Sequence, residues 1–280
     1  MMIRTAVLLA LLAPAAAFAQ TARPGFIPDT RPPAANSFRP EATIVQTFDT
    51  LTGTAPNQCA AGWLCVNNSS PLGTTNWFAG DPTVFSAQAG AGYIAANFNN
   101  TTGGTGTISN WLISPQVSFG AGAELRFWTR VPTGGSVFPD RLEVRASTTG
   151  TNTGGTATST GDFSILLGTV NPNLSTTPGT CVTPATVPGS GGYPETWCEF
   201  AFTNANGLPL TGSGYVAFRY FVTNAGPSGI NSNYIGIDSF SFVEGVPVAP
   251  VAAPVNSPWS LALLGLLLGG LGIAVMRRQG

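Results

Sequence analysis

Glu124 and Glu143 are the residues of this 280-residue chain that come nearest to a catalytic pair. Two carboxylates flanking a glycosidic bond could hydrolyse it, one as acid and the other as base or nucleophile. Other catalytic chemistries lack their parts. The chain has no histidine and its 11 basic residues are all arginine, so a serine or cysteine nucleophile would have neither of its usual bases. No G-x-S-x-G elbow, P-loop or dinucleotide fingerprint is present. The two glutamates alternate with arginines along strand-like segments. A neighbouring guanidinium holds a carboxylate ionised, which suits an ion-paired face better than a raised-pKa acid. The expectation is a protein that is not an enzyme, with a carboxylate-dependent carbohydrate-active enzyme as the alternative.

The arginines form a more suggestive set. In AELRFWTR, Leu125 and Phe127 share one side of a strand, while Glu124, Arg126, Trp128 and Arg130 share the other. In DRLEVRAS, Leu142, Val144 and Ala146 oppose Arg141, Glu143 and Arg145. In GYVAFRYFVTN, Val216, Phe218, Tyr220 and Val222 oppose Arg219. From Asp49 to Glu244 there are five arginines against ten acids, and all five fall on the side away from the core. Neighbouring strands would gather them into one basic patch around Trp128. Arginine forks hold carboxylates or sulfates and an aromatic face stacks on a sugar ring, so the patch would suit an acidic polysaccharide. The plainer reading of the same pattern is a solvated face laced with Arg–Glu pairs and an Arg–Trp stack. Nucleic acid is not an expected partner, because a charged fraction of 8% and a net charge of −1 leave no basic stripe to meet phosphates.

The elements that would position these residues are strands. ATIVQTFD, GYIAANF, ISNWLISPQVSF, AELRFWTR, DRLEVRAS, FSILLGTV, TWCEFAFTN, GYVAFRYFVTN and YIGIDSFSFV are short, rich in β-branched and aromatic residues, and bounded by turn formers. No stretch sustains a helical period. TTGTNTGGTATSTGD, residues 148–162, reads as a surface loop with nothing to bury. The expected fold class is all-β, a two-layer β-sandwich over 41–244.

The flanks read as targeting segments. Residues 1–19 have Arg4, an apolar run from Ala6 and Ala17-Phe18-Ala19, the plan of a cleaved signal peptide. A Pro-rich leader follows at 20–40, and a Pro/Ala linker at 245–258 leads to a C-terminal segment at 259–280. There, seventeen uncharged residues from Ser260 to Met276 precede Arg277-Arg278. That is just enough to span a bilayer as one transmembrane helix, with the arginines left on the cytoplasmic side. The domain would thus be exported and held at the cell envelope, or released from it if the tail is removed. In an oxidising compartment four cysteines read as disulfides. Cys59–Cys65 and Cys181–Cys198 are the simplest of three connectivities. Zinc is disfavoured, since there is no C-x-x-C pair and no histidine.

NWLISPQVSFGAGAELRFWTR, PDRLEVRASTTG and AFRYFVTNAGPSGINSNYIGIDSF together resemble the choice-of-anchor J, or cleaved-adhesin, domain family, from Thr47 to Val243. The most specific pieces are Trp111 to Pro115, the D-x-L-x-V strand at Asp140–Val144, and Ile237-Asp238. The resemblance implies a jelly-roll-like sandwich, related to carbohydrate-binding modules and carried on exported bacterial proteins with varied sorting signals. Related modules bind a structural calcium where their termini meet. Asp49 and Asp238, in the first and last strands, would supply two hard oxygen ligands for such a Ca2+. The tail is similar to PEP-CTERM and IPTL sorting signals: Pro258-Trp259, an apolar run, then Arg277-Arg278. It departs from them in its motif, because VPVAPVNSPW stands where V-P-E-P or I-P-T-L would be. A sorting peptidase is an implied partner. The functional expectation is an adhesin-like or carbohydrate-binding envelope protein that meets an extracellular polysaccharide, or else a structural matrix component without a ligand.

Overall fold

The apolar–polar alternation builds two facing sheets. In the computed structural model residues 43–182, 185–186 and 191–246 are described. The predicted signal peptide, leader and membrane segment, and the linker beyond Val246, lie outside them. The strands are β1 (Thr43–Gln46), β2 (Leu64–Asn67), β3 (Phe78–Ala79), β4 (Ile94–Asn97), β5 (Gly106–Ile113), β6 (Val117–Ser118), β7 (Glu124–Arg130), β8 (Leu142–Ser147), β9 (Ile165–Val170), β10 (Ala185–Thr186), β11 (Cys198–Thr203), β12 (Ser213–Ala225) and β13 (Tyr234–Val243). Each of the nine expected segments carries a strand, and ISNWLISPQVSF divides into β5 and β6. The short β2, β3 and β10 were not expected. Helical structure among the described residues is three 3-10 turns of three residues each, and no helix there is long and apolar enough to cross a membrane.

The first sheet has the order β10-β11-β7-β13-β4-β3, with β1 also on β13. The second has the order β2-β5-β12-β8-β9, with β6 also on β12. Pairing is antiparallel throughout except between β10 and β11. Between the sheets, Leu125, Phe127, Phe202, Ile237 and Phe240 face Leu112, Val144, Phe218 and Val222, all fully buried. Phe127 meets Phe218 edge-on at 4.6 Å and ties the two layers at their centre. The disulfides are Cys59–Cys65 and Cys181–Cys198, with Cα separations of 5.8 and 5.5 Å, as the sequence suggested.

Both outer faces carry covers. On the second sheet Trp111, Ile113 and Ala217 point away from the core and are nevertheless buried, because residues 148–163 fold over them. Phe163 lies 5.4 Å from Trp111, and Asn68 Nδ2 donates to Thr153 Oγ1 at 2.8 Å. This corrects the expectation of a loop with nothing to bury. The segment is polar along its length but closes with one fully buried phenylalanine. On the first sheet the segment 80–92 places Phe85 over β4 and β13, stacked on Tyr93 at 4.8 Å and edge-on to Tyr234 and Trp197 at 5.5 Å each. Gly236 makes room for this: a Cβ there would sit 2.8 Å from the Phe85 ring.

Candidate functional site

The predicted basic patch is divided between the sheets. Arg126, Trp128 and Arg130 stand on the outer face of β7, in the first sheet. Arg141, Arg145 and Arg219 stand on β8 and β12 or beside them, in the second. One patch required β7 to neighbour β8 and β12. Parity assigns each residue to a face, but the chain crosses to the other sheet after β7. The same crossing separates Glu124 from Glu143, which lie on opposite outer faces of the sandwich.

Arg219 is a hub beneath the 148–163 cover and only 1% exposed. Its guanidinium bonds Glu143 Oε2 at 3.1 Å, Ser109 Oγ at 3.0 Å and the Ala157 carbonyl at 2.5 Å. It also lies over Phe221 at 3.9 Å and Trp111 at 4.9 Å. Arg145 bonds the same Glu143 oxygen at 2.7 Å and the Phe163 carbonyl at 3.1 Å. Arg141 lies over Phe221 at 4.6 Å and donates to the Phe221 carbonyl at 2.8 Å. Burial pulls the Arg219 and Arg141 pKa values down, while the Glu143 charge opposes this. Arg219 and Arg145 fasten the 148–163 cover to the sheet, while Arg141 bonds the Phe221 and Pro172 carbonyls instead. On this sheet the solvated-face reading had the Arg–Glu pairing but the wrong solvent exposure.

On the first sheet Arg126 pairs with Glu124 at 2.7 Å and with Glu199 at 3.3 Å. Arg130 lies over Phe85 at 4.5 Å and donates to the Glu195 carbonyl at 2.5 Å. Trp128 sits between them, half-buried, with Glu199 and Asp238 as its cross-strand neighbours.

Asp49 and Asp238 are brought to one loop. Gln88 N–H and Ala89 N–H donate to Asp238 Oδ2 at 2.8 and 3.2 Å, while Ala91 N–H and Gly92 N–H donate to Asp49 Oδ1 at 2.5 and 2.9 Å. Gly90, at φ +64, carries the turn between the two pairs, and a Cβ there would meet the Asp49 carboxylate at 2.3 Å. The N–H donors hold the Asp49 carboxyl below its ordinary value. Burial pushes Asp238 up to about 6, and the charge of Asp49 adds to the rise. Among the described residues no three of His, Cys, Asp and Glu gather as a metal site.

Asp140, on the D-x-L-x-V stretch, is a second buried carboxyl. Its Oδ1 accepts from Tyr220 Oη at 2.5 Å and from Asn233 N–H at 2.8 Å, while Oδ2 is buried without a partner. Burial pushes it up to about 7 against the pull of those donors.

The arrangement best suited to a ligand was not foreseen. A cleft of about 700 Å³ lies between residues 51–56 and the turn at 80–84, with β3 and β4 behind it. Phe78 and Tyr234, edge-on at 5.8 Å, supply an aromatic floor. Asn97 accepts from Thr75 Oγ1 at 3.2 Å and from Asn99 N–H at 3.0 Å, and its Nδ2 makes no bond among the described residues. Asp81 Oδ1 accepts from Thr83 N–H at 2.8 Å and Thr83 Oγ1 at 2.7 Å, which holds its pKa low and leaves Oδ2 without a bond among the described residues. Asp81 is the only acidic or basic side chain of the cleft's described lining. The visible sign in the sequence is an aromatic residue two positions before a Gly-Asp-Pro turn, in Phe78 to Pro82.

No family model and no curated protein matches the chain. Solved structures do. The K1 cleaved adhesin domain of Lys-gingipain from Porphyromonas gingivalis is 21% identical with a TM-score of 0.49, over 73% of this chain and 99% of that one. The K3 cleaved adhesin domain of the same protein is 18% identical with a TM-score of 0.46, over 73% and 100%. A family 11 carbohydrate-binding module of a cellulosomal cellulase from Clostridium thermocellum is 9% identical with a TM-score of 0.35, over 73% and 96%.

Proposed function

We propose that this domain is a non-catalytic binding module whose ligand is a neutral glycan lying in the cleft beside β3. The cleft lining is the observation that supports this. A half-exposed phenylalanine offers a flat face to the C–H side of a sugar ring, and convergent amide, hydroxyl and carboxylate groups suit its hydroxyls. An acidic sugar would meet the like charge of Asp81 and find no arginine. Affinity electrophoresis through neutral and acidic polysaccharides tests the reading. At least one neutral glycan should retard the wild type, and Phe78→Ala should bind it about tenfold more weakly, the size of one aromatic stack. Equal retardation of wild type and Phe78→Ala, or retardation by acidic polymers alone, would overturn it.

A second reading rests on Trp128, which remains accessible between Arg126 and Arg130. An acidic polysaccharide lost on Trp128→Ala and kept on Phe78→Ala would place the ligand on the strand face.

The setting we propose is the cell envelope. Residues 1–19 direct export and 259–280 hold the domain at the membrane until a sorting peptidase removes the tail. The two disulfides are compatible with an oxidising compartment. Asp49 and Asp238 are proposed to share a calcium ion. The donor set suits a hard cation, being all oxygen: two carboxylates, with Gln88 Oε1 bonded to Ser239 Oγ at 2.7 Å beside them. When bound, the ion would offset the repulsion between the two carboxylates.

A further inference from the structure

Asp81–Pro82 is the single Asp–Pro bond in the chain, and its carbonyl oxygen is unusually well supplied with donors. Val84 N–H reaches it at 3.0 Å and Phe85 N–H at 3.4 Å, both from the turn that the proline starts. The third donor is not part of the turn. Tyr93 Oη, from just before β4, reaches it at 2.7 Å. Tyr93 is in turn fixed by Tyr234, whose Oη lies 3.2 Å away and accepts from Asp81 N–H at 3.0 Å. The proton count leaves one arrangement: Asp81 N–H to Tyr234, Tyr234 O–H to Tyr93, Tyr93 O–H to the Asp81 carbonyl. This closed ring of hydrogen bonds links the N–H and the C=O of one residue, Asp81, and such chains polarise one another. Gly80 permits it, since a Cβ there would stand 2.2 Å from the Tyr93 ring.

Three donors converging on a carbonyl oxygen form a site that stabilises negative charge developing there. The group that could create that charge is adjacent. Thr83 holds Oδ1 of Asp81, and Oδ2 is left for attack. We infer that Asp81–Pro82 is a built self-cleavage site, at which the domain hydrolyses its own backbone. Asp81 Oδ2 adds to the carbonyl carbon of the same residue and closes a five-membered ring. The C=O electron pair moves onto the oxygen, into the three-donor site. The Pro82 nitrogen takes a proton from solvent and leaves as a secondary amine as the C–N bond breaks. The resulting cyclic anhydride is opened by water, which leaves Asp81 with a free main-chain carboxyl. One water is consumed and nothing is oxidised or reduced. The low pKa of Asp81 keeps the nucleophile ionised in mild acid, where the leaving nitrogen is more readily protonated. Tyr93 and Tyr234 are the titratable groups facing it, and Arg130 lies on Phe85 at 4.5 Å.

No disulfide crosses the cut, because Cys59–Cys65 lies before it and Cys181–Cys198 after it. The pieces nevertheless stay paired through β1 on β13, β2 on β5 and β3 on β4. Scission is therefore read by intact mass after denaturation without reductant. The full chain is held folded in mildly acidic buffer, and the same chain in urea is the control. The folded chain should part between Asp81 and Pro82 faster than the unfolded one, and Asp81→Asn and Pro82→Ala should not part. Tyr93→Phe, still folded by circular dichroism, should be about 100-fold slower, as for loss of one oxyanion donor. Thr83→Val, at an exposed site outside the tyrosine ring, should also be slower and serves if Tyr93→Phe does not fold. An uncut native chain, a native rate no greater than that in urea, or wild-type rates in the folded variants would overturn the inference. No glycan is present in the assay, so its outcome is separate from that of the cleft's ligand.

Discussion

Replacing Arg219 by alanine should be among the most damaging single changes in the domain, although the sequence places this residue on the face away from the core. The residue is 1% exposed and its guanidinium gives three hydrogen bonds. Breaking a buried ion pair costs about 3–5 kcal/mol, because the surviving charge is left without its partner. Glu143 keeps Arg145 at 2.7 Å, which moves the figure to the lower end. The Ala157 carbonyl and Ser109 hydroxyl lose a donor, at about 1–3 kcal/mol for a buried polar group left unsatisfied, and the contacts with Trp111 and Phe221 disappear. These losses overlap, and about 4 kcal/mol is a fair total, or a fall in Tm of about 10 °C for a domain of this size. Chemical denaturation measures it. Limited proteolysis adds a local readout, because cutting within 148–162 should become fast before global unfolding. The exposed control Arg126→Ala should lose less than about 1 kcal/mol, its pairs being partly solvated. A loss below about 1 kcal/mol at Arg219, or an unchanged cutting pattern, would refute the idea that this side chain holds the cover in place.

Opening the Cys181–Cys198 bridge by Cys→Ser substitution should cost about 3 kcal/mol and opening Cys59–Cys65 about 2, in proportion to loops of 17 and 6 residues; urea titration compares them. Asp140 binds its proton more tightly when folded, up to about 7, than an unfolded aspartate near 3.9 does. Stability from this group is therefore full below about pH 4 and is lost as pH rises through about 7, by about 4 kcal/mol in all. Tm measured between these limits should rise on acidification, and Asp140→Asn should flatten that slope. If Asp49 and Asp238 share calcium, a chelator should lower Tm by mass action and Asp238→Asn should remove the sensitivity; an identical melting curve in chelator would end the proposal.

The sequence disclosed faces better than neighbours. Alternation in residues 124–130, 142–147 and 213–225 identified which side chains enter the core, because side-chain period is a local property. It could not say that β7 joins one sheet while β8 and β12 join the other, since that is decided by where the chain crosses. The covered outer face of the second sheet did leave a sign. In ISNWLI both parities are apolar, Ile108 and Leu112 on one side, Trp111 and Ile113 on the other, which is how a strand buried on both faces reads. The cysteine pairs were legible because short spacings favour local closure. The cleft was not, because its walls are loops at 51–56 and 80–84 whose approach depends on β3, a strand of two residues with no period to detect.

The pairing of the first strand with the last sets the order of events when the chain folds. Thr43 faces Val243 and Gln46 faces Phe240, so β1 finds its partner only across nearly the whole domain. Contacts so distant along the chain are slow to form, since the entropy of closing the intervening loop must be overcome before they reward it. β13 also carries β4 and β7, and the first sheet therefore has no centre until that strand is present. A chain emerging from its N-terminal end, whether from a ribosome or through a membrane pore, cannot complete this sheet until residue 243 is free. Until then the edges of β4 and β7 that β13 will pair with stay open, which makes the arrival of β13 the step at which folding and aggregation compete.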